Sequence, residues 1–368
     1  MRRIFSIILC VIFVSFPLVS CKNTANAQVQ GYDDIGNIPG DYIFNSVKLR
    51  DGQYHGEDVL YKYNVKTGEW STVCRDPFCD HLDEKCMFWN YALFTYIGNT
   101  IYIPKNDEEK GEYGIYAYNV ETDEGGFIYH SKSMVMMPLV SYKYDLFFCE
   151  TDNRRAIRFD TKTNTAHRMA EGYAANIFKA RNGELIWARG SFFSTDKFYT
   201  DLDGNYLREW DHEAYFGKYW YKQMKREGYY MALDMYVSED GENWDLLIEN
   251  IGPATTYQDK IIYFSASPYT NEEIHEAVHV QGGHISDYAP TQLWMCDPDG
   301  SNKTLLVDGV KLYMMAPQQN NPMVCGDYIA ASLYPDPPIK DNEENINTAH
   351  LLIVNIKTGK YTITNPGI

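Results

Sequence analysis

The chain has 368 residues, a formal net charge of -17 and 45% hydrophobic residues, among them 31 tyrosines, 17 phenylalanines and 7 tryptophans. That apolar content excludes a disordered chain and is ample for a large core. The acidic balance excludes nucleic acid and anionic lipid surfaces as partners, because both would repel it.

The first element in chain order is an export signal. Arg2 and Arg3 precede an apolar run from Ile4 to Leu18, broken by Ser6 and Ser15. A run of about 15 residues is short for a membrane span, which needs ~18 or more. Leu18-Val19-Ser20-Cys21 resembles the lipobox of bacterial lipoproteins. That resemblance implies that Cys21 is acylated and becomes the mature N-terminus. A plain signal peptide cut elsewhere is the alternative. Removing residues 1–20 removes two arginines and no acids, so the net charge moves from -17 to -19. No later run is apolar enough to span, and the expectation is a chain exported from the cytoplasm and anchored to the membrane by lipid. Residues 21–30 read as a tether and 31–368 as one domain.

From there a single local pattern returns. An alternating apolar segment runs into a polar turn and a second alternating segment follows: LYKYNVKTGEW (60–70), IYAYNVETDEG (115–125), IRFDTKTNTAH (157–167), FYTDLDGNYLREW (198–210), MYVSEDGENWDLL (235–247), LWMCDPDGSNKTLLV (293–307) and LLIVNIKTGKYTI (351–363). Each predicts a β-hairpin with one face in a core and a turn residue that tolerates positive φ. With Gly68, Asp123, Asn164, Gly204, Gly241, Gly300 and Gly359 as turn marks, the spacings are 55, 41, 40, 37, 59 and 59. A four-stranded propeller blade takes about 40 residues, so the longer intervals imply insertions. Earlier strands show in LFTYIGNTIYI (93–103), ANIFKARNGELIWA (175–188) and TYQDKIIYFSA (256–266). No sustained helical period appears. The predicted fold is all-β, a seven-bladed β-propeller of four-stranded antiparallel blades with insertions on one face. A pair of β-sandwiches is the competing fold and does not predict seven copies of one hairpin. The fifth blade is compressed between Tyr215 and Met235, and the first strand of the first blade, near Gly31 to Pro39, is weak.

The repeated Y-x-Y-N/D-x-x-T-G hairpins resemble those of TolB-type and related propeller lipoproteins. The segment Cys74-Arg-Asp-Pro-Phe-Cys79-Asp-His81, with Cys86 and Phe88 beyond it, resembles a cluster in clostridial-type propeller lipoproteins of unknown function. The resemblance implies fold and location and carries no activity.

In a propeller, second-to-third strand loops and blade-to-blade connections share one face. The segments 104–114, 189–197, 267–291 and 334–348 and the cysteine cluster are expected there, where function usually sits. Blades six, seven and one adjoin around a closed ring, so their loops converge. Cys74, Cys79, His81 and Cys86 are four potential ligands in thirteen residues, enough for a zinc site of Cys3His type. A local disulfide, normal for an exported chain, is the plainer reading, and unpaired thiols are a third, since three cysteines in one loop cannot all pair among themselves. Cys149, Cys296 and Cys325 complete the mature set, and nothing marks a base for a catalytic cysteine.

His275-Glu276-Ala277-Val278-His279 matches H-E-x-x-H. On a helix the histidines share a face, and Glu276 would be the general base toward a zinc-bound water, with His284 or Asp287 as a third ligand. Thr270 and Glu273 fit a capping box, and Gly282-Gly283 would stop the helix. The plainer reading is a solvated helix with Ile274 and Val278 packed on the rim. Ser238 to Trp244 resembles the Asp-box turn of sialidase-like propellers, in which an Asp staples the turn over a Trp; it is structural. The acids Asp107, Glu108, Glu109 and Glu112, and Asp336, Asp341, Glu343 and Glu344, match no calcium loop. The functional expectation is a non-catalytic binding module for a protein, peptide or glycan at the cell envelope. The alternatives are a metal-dependent hydrolase or lyase built on His275 and His279, and a structural envelope component.

Overall fold

The computed structural model describes residues 38–48, 58–76, 78–79, 86–88, 94–107, 110–151, 155–169, 175–189, 196–209, 213–216, 218–229, 232–312, 323–334 and 350–364. Cys21, the export signal, the tether, His81 and the acidic segment 335–349 lie outside them. The described chain is all-β apart from one helical insertion. No described helix is long and apolar enough to cross a membrane.

The strands form six antiparallel sheets, each running in sequence order. The first has three strands, Tyr42–Lys48, Asp58–Asn64 and Glu69–Thr72. The second has Thr95–Ile97, Thr100–Asp107, Glu112–Asn119 and Glu124–Ser131. The third has Val135–Tyr142, Asp145–Glu150, Arg155–Asp160 and Thr165–Arg168. The fourth has Ala175–Arg181, Glu184–Arg189, Lys197–Asp201 and Tyr206–Glu209. The sixth has Met323–Cys325, Tyr328–Leu333, His350–Asn355 and Tyr361–Thr364.

The fifth sheet has seven strands. Its central strand, Asp245–Tyr257, pairs with Leu233–Ser238 through its first half and with Lys260–Ser265 through its second. The register shifts between Ile251 and Ala254, across Gly252-Pro253, where the proline has no N–H to give a ladder. Two four-stranded units thus share one strand. The earlier unit begins with Glu213–Phe216 and Tyr219–Lys225, which resolves the compressed stretch after Tyr215. The later one ends with Leu293–Cys296 and Thr304–Val307.

All seven hairpins read from the sequence form. Their turn residues all have positive φ: Gly68 +76°, Asp123 +60°, Asn164 +58°, Gly204 +87°, Gly241 +77°, Gly300 +77° and Gly359 +66°. The motif's Asn or Asp closes several of these turns by accepting backbone N–H bonds. Asn64 accepts from Lys66 and Thr67, Asn119 from Glu121 and Thr122, and Asp160 from Lys162 and Thr163.

Simple alternation gives way in the second strands of the sheets. Asp145–Glu150 and Lys260–Ser265 hold four or more consecutive buried residues, whereas Thr165–Arg168 is exposed throughout. The reason is packing on both faces. Phe44, Leu60 and Val73 of the first sheet and its exit meet Ile101, Ile103 and Tyr118 of the second. The second meets the third through Ile97, Ile115, Leu146 and Phe148, and the third meets the fourth through Phe147, Ile177, Trp187 and Phe198. The two halves of the fifth face each other, and its later half packs on the sixth. Each fully buried large apolar side chain contributes about 1.5–3 kcal/mol, so these inter-sheet layers dominate stability. Polar groups caught inside are paired. Trp187 Nε1 donates to the fully buried Thr200 hydroxyl at 2.8 Å, and that hydroxyl donates to the Asp201 carbonyl.

The sixth sheet packs on the first. Cys325, Ala330, Leu351 and Ile353 meet Ile43 and Tyr63, and the Cys325 thiol lies 3.4 Å from the Tyr42 carbonyl. Among the described residues no strand pairing joins these two sheets; side chains do it. Residues 38–41, just before the first strand, run between the first turns of their neighbours, with the Asp41 N–H donating to Asn99 Oδ1 at 2.7 Å and Pro39 against Gly326. The described part of the weak first strand, Ile38 and Pro39, is not β-structure.

Trp70 Nε1 of the first sheet donates to Thr364 Oγ1 of the sixth at 2.8 Å, across 294 residues. Trp70→Phe and Thr364→Val should each cost about 1 kcal/mol, and the double variant less than their sum. Urea denaturation of the four proteins measures the coupling. Strict additivity would show that this bond does not join the sheets.

Candidate functional site

The sheets present two unlike edges. One carries only tight turns, and backbone bonds tie the two turns of a sheet together there: Val120 N–H to Asn99, Thr161 to Tyr144 and Ile356 to Asp327. The other edge carries the long connections. Here the segment 104–114 is not a loop insertion, because Thr100–Asp107 and Glu112–Asn119 stay paired to their ends. It is a lengthened hairpin, and Asn106 fastens it to the third sheet by bonding both backbone groups of Val135. Next to it Glu150, 6% exposed, accepts from the hydroxyls of Tyr129 and Ser131.

The cysteine loop leaves the first sheet at Val73. The Thr72 hydroxyl donates to the Cys74 carbonyl at 2.7 Å. Asp76 closes a small turn, its carboxylate accepting from the Phe78 N–H and its carbonyl from the Cys79 N–H. This turn holds Phe78 out at 95% exposure while Cys79 faces inward, half-buried. Cys86 and Phe88 are buried between the first two sheets, Phe88 edge-on to Tyr118 at 4.9 Å. The Sγ atoms of Cys74, Cys79 and Cys86 all lie within 4.8 Å of one another. Among the described residues this is the one set of three His, Cys, Asp or Glu side chains whose donor atoms converge, and it is able to hold a metal ion. Burial raises the pKa of Cys74 and pushes Cys86 up to about 12. Cys149, Cys296 and Cys325 lie in buried strands of three different sheets, and burial pushes each to about 11. Thiols held so high are not nucleophiles at neutral pH.

The second constellation is the insertion after Ser265. Thr270 caps the helix Asn271–His275, and the capping box with Glu273 is formed in both directions. The helix loosens into a π turn, Glu276–Val280, and Gly282 ends it with φ +73°. Ile274 and Ala277 are buried and Val278 half-buried, which seats the insertion on the edge. Its start is tied to the preceding unit, the Asn271 N–H donating to the Gly228 carbonyl. His275, Glu276 and His279 are all exposed, and the two imidazole rings lie 5.0 Å apart, tilted by 49°. His284 is half-buried and Asp287 is bound to Lys311 at 2.8 Å; neither converges on the pair.

The Asp-box-like turn is stapled as that resemblance implies. Asp240 accepts from the Ser238 hydroxyl, from the Glu242 and Asn243 N–H groups and from the Asn243 amide. These bonds hold its carboxyl well below the usual carboxylate range. The tryptophan beneath the turn is not Trp244 but Trp220, 3.5 Å from where a Cβ on Gly241 would sit. Trp244 instead lies under Lys222, whose ammonium is 4.2 Å from the ring.

Two residues of this region were missed from the sequence. Phe78 lies in a segment too short to show a period. Lys62 had a signal: alternation puts it on the same face as Leu60. It is 4% exposed, and its ammonium donates to the Val120 carbonyl at 3.1 Å, which also accepts from Arg75.

No known family description matches the chain, and no curated protein matches it. Among solved structures, the β-propeller domain of the Trilobed protease from Pyrococcus furiosus is 13% identical, with a TM-score of 0.46 over 92% of this chain and 99% of that one. TolB from Acinetobacter baumannii is 9% identical, with a TM-score of 0.40 over 88% and 80%. An uncharacterised protein from Listeria monocytogenes is 8% identical, with a TM-score of 0.46 over 72% and 79%.

Burial, and next the nearby Arg75, push the Lys62 pKa down to about 8. Below that pH folded and unfolded chains both carry the proton, and its contribution is flat. Between there and the ordinary lysine range the unfolded chain binds the proton that the folded chain has released, so stability from this position rises with pH. Lys62→Met should remove that rise. Urea midpoints of both proteins at about pH 7 and about pH 9.5 test it, since the difference between them cancels the thiols. Parallel responses would refute the assignment.

Proposed function

We propose that this chain is a lipid-anchored, extracytoplasmic seven-bladed β-propeller that binds a protein, peptide or glycan at the cell envelope without catalysis. The blade count takes the fifth sheet as two blades sharing a strand, and each blade as four-stranded except the first. Support comes from the sheet-on-sheet layers, which join the first four sheets in succession, the two halves of the fifth, the fifth to the sixth and the sixth to the first. The observation that carries the binding role is the contrast between the edges. One is sealed by tight, self-bonded turns, while the other displays Phe78 at 95% and Val280 at 64% exposure on loops held by buried anchors. An exposed aromatic on a fixed turn is an interface feature, because little side-chain freedom is lost when a ligand covers it. A hydrolase at His275 and His279 would need a third ligand, and the described residues supply none there.

Two experiments test the reading. A photo-crosslinking amino acid in place of Phe78 or Val280 should yield adducts in the native cell, and the same amino acid in place of Lys66 or Lys357, on the turn edge, should not. Adducts from the turn edge alone, or from neither edge, would refute a binding face on the long-loop side; the latter outcome favours a structural envelope component. Separately, Cys21→Ser should shift the protein from the membrane pellet to the soluble fraction, since a thioether lipid needs that sulfur. Retention at the wild-type level would remove the lipid anchor from the proposal.

A further inference from the structure

We propose that Cys74, Cys79 and Cys86 together bind one zinc ion through three thiolates, and that this ion clamps the first sheet to the second. The three Sγ atoms lie within 4.8 Å of one another. A tetrahedral zinc with Zn–S bonds of about 2.3 Å holds its sulfurs roughly 3.8 Å apart, so a contraction of about 1 Å or less closes the site. A disulfide needs two sulfurs and gives no reason for a third to converge. Here each sulfur is delivered by separate means. Cys74 follows the last strand of the first sheet under the Thr72 hydroxyl, Cys79 is turned inward by the Asp76 turn, and Cys86 is set in the core beside Phe88. An all-thiolate set selects thiophilic ions, and zinc, without a geometry imposed by d electrons, completes such a set with any fourth donor.

The position gives the ion its task. Among the described residues the first sheet has three strands and meets the sixth through side chains, with no shared strand. Its other face rests on the second sheet through a layer that Cys86 and Phe88 help to fill, with Phe44, Leu60, Ile101 and Tyr118 around them. An ion bonded to Cys74 at the sheet's exit and to Cys86 in that layer fixes the filling residues to the sheet itself. Binding of the metal is then partly folding of this junction.

The test uses the full mature chain, purified with reductant and without added metal. One zinc per chain is expected by elemental analysis. Cobalt exchanged for zinc should give intense tetrahedral d–d bands and sulfur-to-cobalt charge transfer. Cys79→Ser and Cys86→Ser should each lower zinc content at least tenfold, while Cys149→Ser keeps one zinc. Cys79 is half-buried and sits on an exposed turn, so its variant should keep the wild-type circular dichroism spectrum. Chelation should raise amide exchange at least tenfold in residues 58–72 and leave 184–201 unchanged. A disulfide between any two of the three cysteines in a peptide map of protein prepared without reductant, copper in place of zinc, or full zinc in the Cys79→Ser protein would overturn the site. Stoichiometric zinc with exchange unchanged on chelation would overturn the clamp.

Discussion

The first, second, third and sixth sheets each have two apolar faces, and much of the structure follows from the need to cover both. A single antiparallel sheet in water buries one face at best. Here Leu146, Phe147 and Phe148 are consecutive and all fully buried, so the third sheet requires a neighbour on each side. The second sheet takes one face and the fourth takes the other. The first sheet packs on the second with one face and on the sixth with the other. Among the described residues that contact is made by side chains, Ile43 and Tyr63 against Leu351 and Ile353, without a shared strand.

The same requirement divides the molecule into a conservative edge and a permissive one. Packing fixes the strands, and the turns on one edge sit where neighbouring sheets interlock. Arg158 there reaches both Asp145 of its own sheet and Asp203 of the next, and the Tyr257 hydroxyl donates to Asp327 of the following sheet at 2.5 Å. Length added on that side would push against a neighbour. On the opposite edge a connection can grow outward, provided that it brings its own anchors. The helical insertion does so with Ile274 and Ala277, and the cysteine loop with Cys86 and Phe88.

How much of this was legible in the sequence depended on range. Turn chemistry is local, so Gly68, Asp123 and the other five marks were readable as positive-φ positions one by one. The capping box of Thr270 and Glu273 was readable for the same reason, since its partners are three residues apart. What depends on tertiary contact was not readable. The tryptophan under the Asp240 turn comes from a neighbouring strand, and sequence proximity pointed to Trp244 instead of Trp220. The stretch 104–114 was expected as an insertion, yet pairing of Pro104, Lys105 and Asn106 with Ile115, Gly114 and Tyr113 holds them in a sheet. The convergence of three sulfurs was suggested by spacing, but only the fold shows that Cys86 is delivered by the core and Cys79 by a turn.

The shared strand Asp245–Tyr257 has a mechanical consequence. Among the first four sheets, successive sheets are joined by side-chain contact and not by a shared strand. Between the two halves of the fifth sheet the joint is the main chain itself, extended and hydrogen-bonded on both sides of Gly252-Pro253. Opening one half pulls on the ladder of the other. These seven strands therefore form one cooperative unit of local unfolding where the other described sheets form units of three or four. The helical insertion is rooted in both halves, through Gly228 in one and Ser265 in the other, and so is carried by both.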